Sequence, residues 1–210
     1  MKSIDFCGIT VDIYDKIGIS HSGGVDSTLL LYILMSVSKN TIHIFTTGNN
    51  QRGRKNVETS VKVVEWLINE TGNSNIEHHI SYTDVQSTMT LFPKLGKYKK
   101  QGLIDVVYTG ITANPPAEVC ADFTLPITEN NRNPEVERPT KFGFFYTPFT
   151  NIDKRKIAEV YQDLELDDLF NITRSCEFDP TIDPFDPGMG HCGRCWWCQE
   201  REWAFGGLYK

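Results

Sequence analysis

The chain has 210 residues, of which 40% are apolar and 23% are charged, enough to bury a core and form one domain with at most a small appendage. No apolar stretch approaches the roughly 20 residues that span a bilayer, and the first residues lack the basic start and apolar centre of a secretory signal. We therefore expect a cytoplasmic protein with no membrane partner. The formal net charge of −6 disfavours binding to a phosphate backbone, so we expect a small-molecule substrate and no direct nucleic-acid binding.

Strands and helices are predicted to alternate along the chain. Apolar runs predict strands over 16–20, 41–47, 76–81 and 103–109, and longer segments predict helices over 26–37, 55–70 and 153–169. The apolar face predicted for the second helix consists of Val57, Val61, Val64, Leu67 and Ile68. Residues 111–150, rich in Pro, Asn and Thr, are predicted to form loops around a site. The alternation indicates an α/β fold with an open, mostly parallel sheet flanked by helices, which binds ligands beyond the carboxyl ends of its strands.

The turn between the first predicted strand and helix reads SGGVDS over residues 22–27. Its glycines allow a sharp turn with converging amides, and the helix start adds a partial positive charge, so the turn predicts a phosphate site. The lysine of a Walker loop is missing, so γ-phosphate transfer is not indicated. The pattern SGGxDS is instead typical of the pyrophosphate loop of N-type ATP pyrophosphatases, which cut ATP between the α and β phosphates. Asp26 is predicted to assist Mg²⁺ or to orient the loop, because a carboxylate beside phosphates acts chiefly through a cation.

Four of the six cysteines crowd near the C-terminus with the spacing C-x15-C-x2-C-x2-C. Four thiolates fill a tetrahedral zinc shell, the closed coordination of a structural site, and Gly193 allows the tight turn of such a zinc knuckle. An iron–sulfur cluster is the alternative, since closely spaced cysteines also bind such clusters. His191 is expected outside the ligand shell or at the surface, and Cys7 and Cys120 are expected to be structural. The expected ligands are Cys176, Cys192, Cys195 and Cys198.

Several motifs together carry a resemblance that covers most of the chain. They are SGGVDS at 22–27, NQR at 50–52 followed by Glu58, TGITAN at 109–114, TPFTNIDKRKI at 147–157, and TRSC at 173–176 followed by CGRCWWCQEREWAF at 192–205. On these motifs the chain resembles the 7-cyano-7-deazaguanine synthases, pyrophosphate-loop enzymes of queuosine biosynthesis. The resemblance implies an adenine nucleotide alpha hydrolase-like, Rossmann-like fold. It also implies a pyrophosphate-loop domain over 1–170 with a zinc-binding segment over 171–210 packed on it.

The resemblance implies a reaction as well. The carboxylate of 7-carboxy-7-deazaguanine attacks the α-phosphorus of ATP, which gives an acyl adenylate and releases pyrophosphate. Ammonia then displaces AMP, and a second ATP activates the amide so that loss of AMP leaves a nitrile. Both activations shift negative charge onto phosphate oxygens, where amides, Mg²⁺ and a lysine can stabilise it. No protein nucleophile is required.

The resemblance further implies which residues form the site. Catalytic roles are expected for Ser22, Asp26, Ser27 and Lys154. ATP is expected to contact Ser20, Ser22, Gly23, Gly24, Val25, Asp26, Ser27, Thr46, Gln51, Arg52 and Gly110. The deazapurine is expected to contact Thr112, Asn114, Glu118 and Asp122. The expected cofactors are a structural Zn²⁺ and Mg²⁺, with ATP as co-substrate.

Two stretches depart from the family's pattern. The second-strand segment reads NNQRG over 49–53, and the loop after TGITAN continues as PPAEVCAD over 115–122. Because that loop helps to build the deazapurine pocket in the family, the adenylation chemistry is better supported than the substrate. Two alternatives stay open, a pyrophosphate-loop enzyme that adenylates a different substrate, as in RNA thiolation, and a non-catalytic nucleotide-binding relative. An amide rather than a nitrile product, and a homodimer, stay open too.

Overall fold

The structure is a computed structural model that describes residues 1–49, 55–84, 87–120, 132–176 and 190–209. In these ranges the strands are β1 (Lys2–Phe6), β2 (Ile9–Ile13), β3 (Ile17–Ser20), β4 (Ile42–Asn49), β5 (Ile76–Thr83), β6 (Val106–Thr109), β7 (Lys141–Phe142) and β8 (Phe145–Tyr146). The helices are α1 (Val25–Val37), α2 (Lys55–Thr71), α3 (Ser87–Lys100), α4 (Lys154–Asp163), α5 (Asp167–Ile172) and α6 (Trp196–Phe205), with a 3₁₀ turn at Ala117–Cys120. Among the described helices, none combines the length and the apolar character that crossing a membrane requires.

Within the described ranges, six strands form one sheet in the order β5-β4-β3-β6-β8-β7. Neighbouring strands are parallel except at one edge, where β7 runs antiparallel to β8. The central strand β3 is a short apolar run whose residues Ile17 and Ile19 are fully buried, as expected for a strand covered on both faces. The predicted α/β fold with an open, mostly parallel sheet is confirmed.

The strand order creates a topological switch point between β3 and β6. From β3 the chain moves outward to β4 and β5, and it then returns to place β6 on the other side of β3. The connections that follow β3 and β6 therefore lead in opposite directions along the sheet and leave a crevice, where open α/β sheets bind ligands. The SGGVDS loop follows β3 and Gly110 follows β6 directly, so both lie at this crevice.

Helices cover the two faces of the sheet unequally. The larger apolar core joins α1, α2, α4 and α5 to one face, and the smaller core joins Leu91 and Leu95 of α3 to the other. Because successive strand residues point to opposite faces, Ile44 of β4 belongs to the larger core and Phe45 to the smaller. α3 is therefore separated from α1 and α2 by the thickness of the sheet.

The apolar face of α2 differs from the prediction at one position. Val61 is only half-buried, and Val63 is buried instead. The predicted residues Val57, Val64 and Leu67 are buried and Ile68 packs at the edge of the core. Ser60, on the same side of the helix as Val63 and Val64, is fully buried and contacts His21, which directly follows β3, and Thr46 of β4.

Several elements were not predicted from the apolar pattern. The β1–β2 hairpin turns through Cys7 and Gly8, with φ values of +52° and +78°. α3 lies in a stretch for which no element is predicted, and it contains Pro93 and Gly96, residues that are unfavourable inside helices. The single helix predicted over 153–169 is wrong, because the chain turns at Glu165, which has a φ of +54°, and forms α4 and α5.

Candidate active site

The loop after β3 gathers polar groups at the crevice. Gly23 has a φ of +80°, and the amide of Gly24 donates to Ser22 Oγ at 3.3 Å. The hydroxyls of Ser22 and Ser27 lie 3.1 Å apart, and the amide of Ser22 donates to Ser27 Oγ at 3.2 Å. Helix α1 begins at Val25, directly after the glycine pair. The first amides of α1 and the two hydroxyls therefore form an arrangement suited to phosphate oxygens.

Two glycines at the crevice are required by close contacts. A Cβ atom on Gly110 would lie 2.6 Å from the backbone nitrogen of Ser27 and 2.7 Å from the carbonyl carbon of Asp26. The end of β6 therefore packs directly on the backbone at the start of α1. A Cβ atom on Gly23 would lie 3.0 Å from Thr59 Cγ2, in a backbone conformation that favours glycine. Contact of Gly110 with ATP stays a prediction, while its packing role is visible.

Lys154 reaches the loop from α4. Its ammonium nitrogen Nζ lies 3.0 Å from Asp26 Oδ2 and 2.7 Å from Glu200 Oε2, and its side chain is only 4% exposed. Asp153 caps α4 by accepting hydrogen bonds from two amides of the first turn, so the helix starts at Lys154. The structure thus brings together two residues that are 128 positions apart in sequence, Asp26 and Lys154, both of which were predicted for the site.

Glu200 and Arg132 complete a group of four charged residues that we call the charge cluster, with Asp26 and Lys154. Glu200 lies on α6, its side chain is 1% exposed, and its Oε1 atom lies 3.3 Å from Arg132 Nη2. Arg132 also donates to the carbonyl oxygen of Thr112 at 2.7 Å and to its hydroxyl at 3.2 Å. Sequence reasoning missed both residues. The only sequence feature that could indicate a site role for Glu200 is that it is a carboxylate within a cysteine-rich segment. No feature of the sequence around Arg132 indicates a site role.

The charge cluster holds Lys154 as a cation. Burial lowers the pKa of Lys154, but the carboxylates of Asp26 and Glu200 outweigh burial, so the net shift of this pKa is upward. Burial raises the pKa of Asp26, and Lys154 opposes that rise. Two carboxylates and two cations balance in formal charge, which is how buried charges are tolerated.

Among the described residues, one oxygen of the charge cluster has neither a hydrogen bond nor an ion-pair partner. Asp26 Oδ1 is buried and has no hydrogen-bond partner among the described residues. Buried polar atoms normally have a partner, and a carboxylate oxygen beside a phosphate-binding loop is a ligand that Mg²⁺ takes together with phosphate oxygens. The donor chemistry at Asp26 therefore fits Mg²⁺.

Beneath the loop lies a buried network of neutral polar side chains. Thr46 Oγ1 donates to the carbonyl oxygen of His21 at 3.0 Å and lies 2.8 Å from Ser60 Oγ. The His21 ring contacts Ser60 Oγ at 2.7 Å and Thr28 Oγ1 at 3.1 Å, and burial lowers the pKa of His21 to about 3. Burial likewise lowers the pKa of His78, which contacts Thr46, to about 4. The Thr46 hydroxyl thus points into the protein, and its predicted contact with ATP stays a prediction.

The four clustered cysteines bring their sulfur atoms together. All four Sγ atoms lie within 4.8 Å of one another, and the distances are 3.8 Å for Cys176 to Cys195 and 4.0 Å for Cys192 to Cys198. A tetrahedron with zinc–sulfur bonds of about 2.3 Å has edges of roughly 3.8 Å. The amide of Cys195 donates to Cys192 Sγ at 3.3 Å, and that of Cys198 donates to Cys195 Sγ at 3.4 Å. The cysteine cluster is therefore compatible with tetrahedral zinc.

The thiols of this cluster need a cation to ionise. Hydrogen bonding to Cys176 raises the pKa of Cys195 and raises that of Cys198 to about 12. His191 is buried, and its Nδ1 atom lies 3.7 Å from Cys198 Sγ. The expectation that His191 lies outside the ligand shell fits this position, and the surface alternative does not.

The cysteine cluster and the SGGVDS loop are joined by short connections. The amide of Arg174, two residues before Cys176, donates to the carbonyl oxygen of Gly23 at 2.9 Å. Cys195 caps α6, the helix that carries Glu200. Arg201 on the same helix is fully buried and donates to Thr173 Oγ1 and to the carbonyl oxygen of Phe170, both at 2.8 Å. The domain boundary predicted between 170 and 171 falls inside α5, and a division into two units stays a prediction.

The other predicted site residues lie at varied distances from this centre. Ser20 ends β3, and the side chain of Val25 is buried in the core. The backbone amide of Asn114 donates a hydrogen bond to the backbone carbonyl oxygen of Arg132 at 2.7 Å, which connects Asn114 to the charge cluster. Glu118 is exposed on the 3₁₀ turn. Gln51, Arg52 and Asp122 lie outside the described residues.

Comparison with known proteins gives structural likenesses. No protein-family model matches the sequence, and a search of the curated proteins found no match either. The chain is similar to the structure of NMN synthetase from Francisella tularensis, with 14% identity, a TM-score of 0.49, and coverage of 92% of this chain and 78% of that one. It is also similar to NH3-dependent NAD synthetase from Campylobacter jejuni subsp. jejuni, in complex with the nitrate ion, with 16% identity, a TM-score of 0.37, and coverage of 74% and 66%. What the site can do is decided by its own residues.

Proposed function

We propose that this protein is an ATP-dependent carbon–nitrogen ligase of the pyrophosphate-loop type, which transfers AMP from ATP to a carboxylate and releases pyrophosphate. The observation that carries the proposal is the position of Lys154. A loop without a lysine of its own receives a buried cation from α4, held 3.0 Å from Asp26 Oδ2. A cation at this place is suited to stabilise charge that develops on the phosphate oxygens during cleavage.

Each part of the site has a task in the proposed reaction. The amides at the start of α1 and the hydroxyls of Ser22 and Ser27 bind the pyrophosphate part of ATP. Asp26 holds Mg²⁺ through its unpaired oxygen, and the ion supplies further neutralisation of phosphate charge. Lys154 keeps its proton, because the two carboxylates beside it raise its pKa. The chain therefore provides binding and electrostatic stabilisation and needs no nucleophile of its own.

The proposed substrate is 7-carboxy-7-deazaguanine, with ammonia as the nitrogen donor. The sequence motifs around 109–114, 147–157 and 192–205 support it. Arg132 adds a physical reason, because it is bound to Thr112, its side chain is 28% exposed, and it presents a cation next to residues predicted to bind the substrate. A guanidinium group can hold a carboxylate in a fixed orientation. Zinc in the cysteine cluster serves structure, since four sulfur ligands leave no coordination position for substrate.

The test is product analysis with the purified, zinc-loaded protein. ATP, Mg²⁺, ammonium and 7-carboxy-7-deazaguanine are supplied, AMP and pyrophosphate are quantified, and the purine product is identified by mass spectrometry. We expect AMP and pyrophosphate in equal amounts and a nitrile or amide product. AMP formed only with another carboxylate or with RNA would retain the adenylation chemistry and reject the substrate. No AMP with any acceptor would reject the enzyme and favour a nucleotide-binding relative.

A matched pair of variants ties the activity to the site. Lys154→Met removes the buried cation, and Lys156→Met removes a lysine of the same helix whose side chain is 33% exposed and whose partner Glu159 is 59% exposed. We expect Lys154→Met to lose at least about a hundredfold in the rate of AMP formation, and Lys156→Met to keep the wild-type rate. Equal rates for the two variants would contradict the role of Lys154.

A further inference from the structure

A second group of metal-binding side chains lies away from the cysteine cluster, on the face of the sheet that α3 covers. It consists of His43 on β4 and of Glu77 and His79 on the neighbouring edge strand β5. His43 is the register partner of Glu77, and Glu77 and His79 are two residues apart, so all three side chains project from one face. We call this group the β4–β5 triad.

The three donor atoms form a nearly regular triangle. His43 Nδ1 lies 3.2 Å from His79 Nε2 and 3.4 Å from Glu77 Oε2, and His79 Nε2 lies 3.6 Å from the same oxygen. Zinc bonds of about 2.0–2.1 Å to nitrogen and oxygen give a tetrahedron with edges of roughly 3.3–3.4 Å. The triangle therefore matches one face of a tetrahedral zinc shell to within a few tenths of an ångström.

The two histidine rings each direct one nitrogen toward the other ring. Their planes are 15° from parallel, and their centroids are 5.5 Å apart. With ring nitrogens only 3.2 Å apart, the rings must meet edge to edge rather than face to face. A proton between the nitrogens satisfies this pair when no metal is bound. A cation bonded to both nitrogens at about 2.0–2.1 Å has to lie beside the line that joins them, so each ring must rotate by roughly 40° to direct its nitrogen at the ion.

The surroundings provide an outer partner and an open side. Tyr98 Oη lies 3.3 Å from His79 Nδ1, the nitrogen that faces away from the triangle. Ligating histidines usually hydrogen-bond through their other nitrogen, which fixes the tautomer. The side chains of His43 and His79 are 7% and 17% exposed, whereas that of Glu77 is 57% exposed, so the triad opens toward solvent on the Glu77 side. A water molecule can complete the shell there.

We propose that the β4–β5 triad is a second metal site, which binds a divalent transition metal ion such as Zn²⁺ through His43, Glu77 and His79. Two imidazoles and a carboxylate are the ligand set that Zn²⁺ and related ions take, and not one for Mg²⁺. His43 is level with Gly18 of β3 and faces α3, whereas the phosphate loop leads into α1 on the other face. The ion at the triad therefore cross-links the edge strand β5 to β4 and takes no part in the proposed ATP chemistry.

The experiment measures metal equivalents by equilibrium dialysis of the full chain against buffered Zn²⁺, followed by mass spectrometry of the metal. Wild type is compared with Glu77→Gln and His79→Gln, and with Glu65→Gln as an exposed carboxylate control on α2. We expect wild type and Glu65→Gln to bind one more equivalent of zinc per chain than the two triad variants. This difference should not depend on which metal the cysteine cluster holds. Tyr98→Phe should lower the affinity of the triad for zinc by roughly 10–100-fold.

A second readout separates the triad from the thiolates. With the cysteine cluster loaded with zinc, added Co²⁺ should give visible d–d bands without the near-ultraviolet sulfur-to-metal charge-transfer bands of a thiolate site, and these bands should be absent from His79→Gln. Circular dichroism without added metal confirms that the variants are folded. The proposal would be overturned if, at submillimolar free Zn²⁺, wild type bound no more zinc per chain than the triad variants. Cobalt bands that persist in both triad variants would overturn it too.

Discussion

At the scale of single residues, Glu200 is the side chain that connects the cysteine-rich C-terminal segment to the SGGVDS loop. It contributes one carboxylate oxygen to Lys154 at 2.7 Å and the other to Arg132 at 3.3 Å. It therefore fixes two cations at once, and we regard it as a positioning residue for Lys154. Its removal leaves Lys154 with Asp26 as the remaining carboxylate neighbour in the charge cluster.

We expect Glu200→Gln to lower the rate of AMP formation by about tenfold to a hundredfold, because a small displacement of a catalytic group has effects of this size. Zinc content should stay unchanged, since Glu200 is not a cysteine-cluster ligand. The matched control is Glu202→Gln, an exposed position on the same helix. Steady-state kinetics of AMP release checks the effect, and a loss confined to the KM for ATP would argue against positioning of Lys154.

Gly110 provides a second prediction at this scale. Gly110→Ala places a methyl group 2.6 Å from the Ser27 backbone nitrogen, so the end of β6 and the start of α1 must separate. We expect the free energy of unfolding to fall by about 1–3 kcal/mol and AMP formation to fall with it. Gly96→Ala is the control, because a Cβ atom there meets nothing within 4 Å and the residue is helical. Urea unfolding of Gly96→Ala should give an unchanged or higher free energy of unfolding. An unchanged free energy of unfolding for Gly110→Ala would show that the contact between β6 and α1 is unimportant.

At the scale of elements, α6 depends on the cysteine cluster in which it begins. Cys195 is its N-cap and Cys198 lies in its first turn. Phe205 at its end stacks on Phe170 of α5 with centroids 4.4 Å apart, and Gly206 closes the helix in the left-handed conformation, with a φ of +73°. The helix is thus held at its start by the sulfur atoms and at its end by aromatic packing.

Removal of the metal should therefore disturb both stability and the charge cluster. We expect a strong zinc chelator to lower the melting temperature and helical circular dichroism and to abolish AMP formation, since thiols without a metal lose the bonds that hold the start of α6. Added Zn²⁺ should restore all three. Metal analysis of the untreated protein decides the ion, because brown protein containing iron would contradict zinc. Chelation that removes zinc and leaves AMP formation intact would show that α6 holds Glu200 without the metal.

At the scale of the whole molecule, acid stability reflects the neutral histidines under the loop. Burial, followed by the charge of His78, lowers the pKa of His21 from 6.5 to about 3. Between pH 3 and pH 6.5, His21 binds a proton in the unfolded chain but not in the folded protein. The free energy of unfolding therefore rises with pH across this range, and it falls progressively as the pH drops below 6.5.

His21 alone should contribute a slope of about 1.4 kcal/mol in the free energy of unfolding for each pH unit inside that window. His21→Asn keeps a hydrogen-bonding group toward Ser60 but cannot titrate. We expect this variant to be less stable than wild type at pH 8 and to lose less further stability on acidification to pH 4.5. Urea unfolding at several pH values measures both slopes, and parallel curves for the two proteins would exclude His21 as the titrating group.

The sequence by itself determined the features whose causes are local. Apolar runs such as IGIS and TIHIF predict buried parallel strands, SGGVDS predicts a phosphate loop, and the cysteine spacing predicts a four-sulfur site. The fold prediction is confirmed, and the cysteine prediction is matched by the sulfur distances. The hairpin at Cys7 and Gly8 carried a readable signal too, a two-residue turn between alternating strands. The assignment of residues to ATP and substrate stays a prediction.

Only the tertiary structure decided which distant charges meet. Arg132, Lys154 and Glu200 come from a loop and two helices, and a charged residue in sequence does not indicate which partner will compensate it after burial. The β4–β5 triad likewise depends on strand register, which sets His43 opposite Glu77 and is not encoded within either strand alone. A local sequence pattern can predict a helix or strand because the residues of one element are neighbours in sequence. A site that joins separate elements forms only when the strand order and the helix packing bring those elements together.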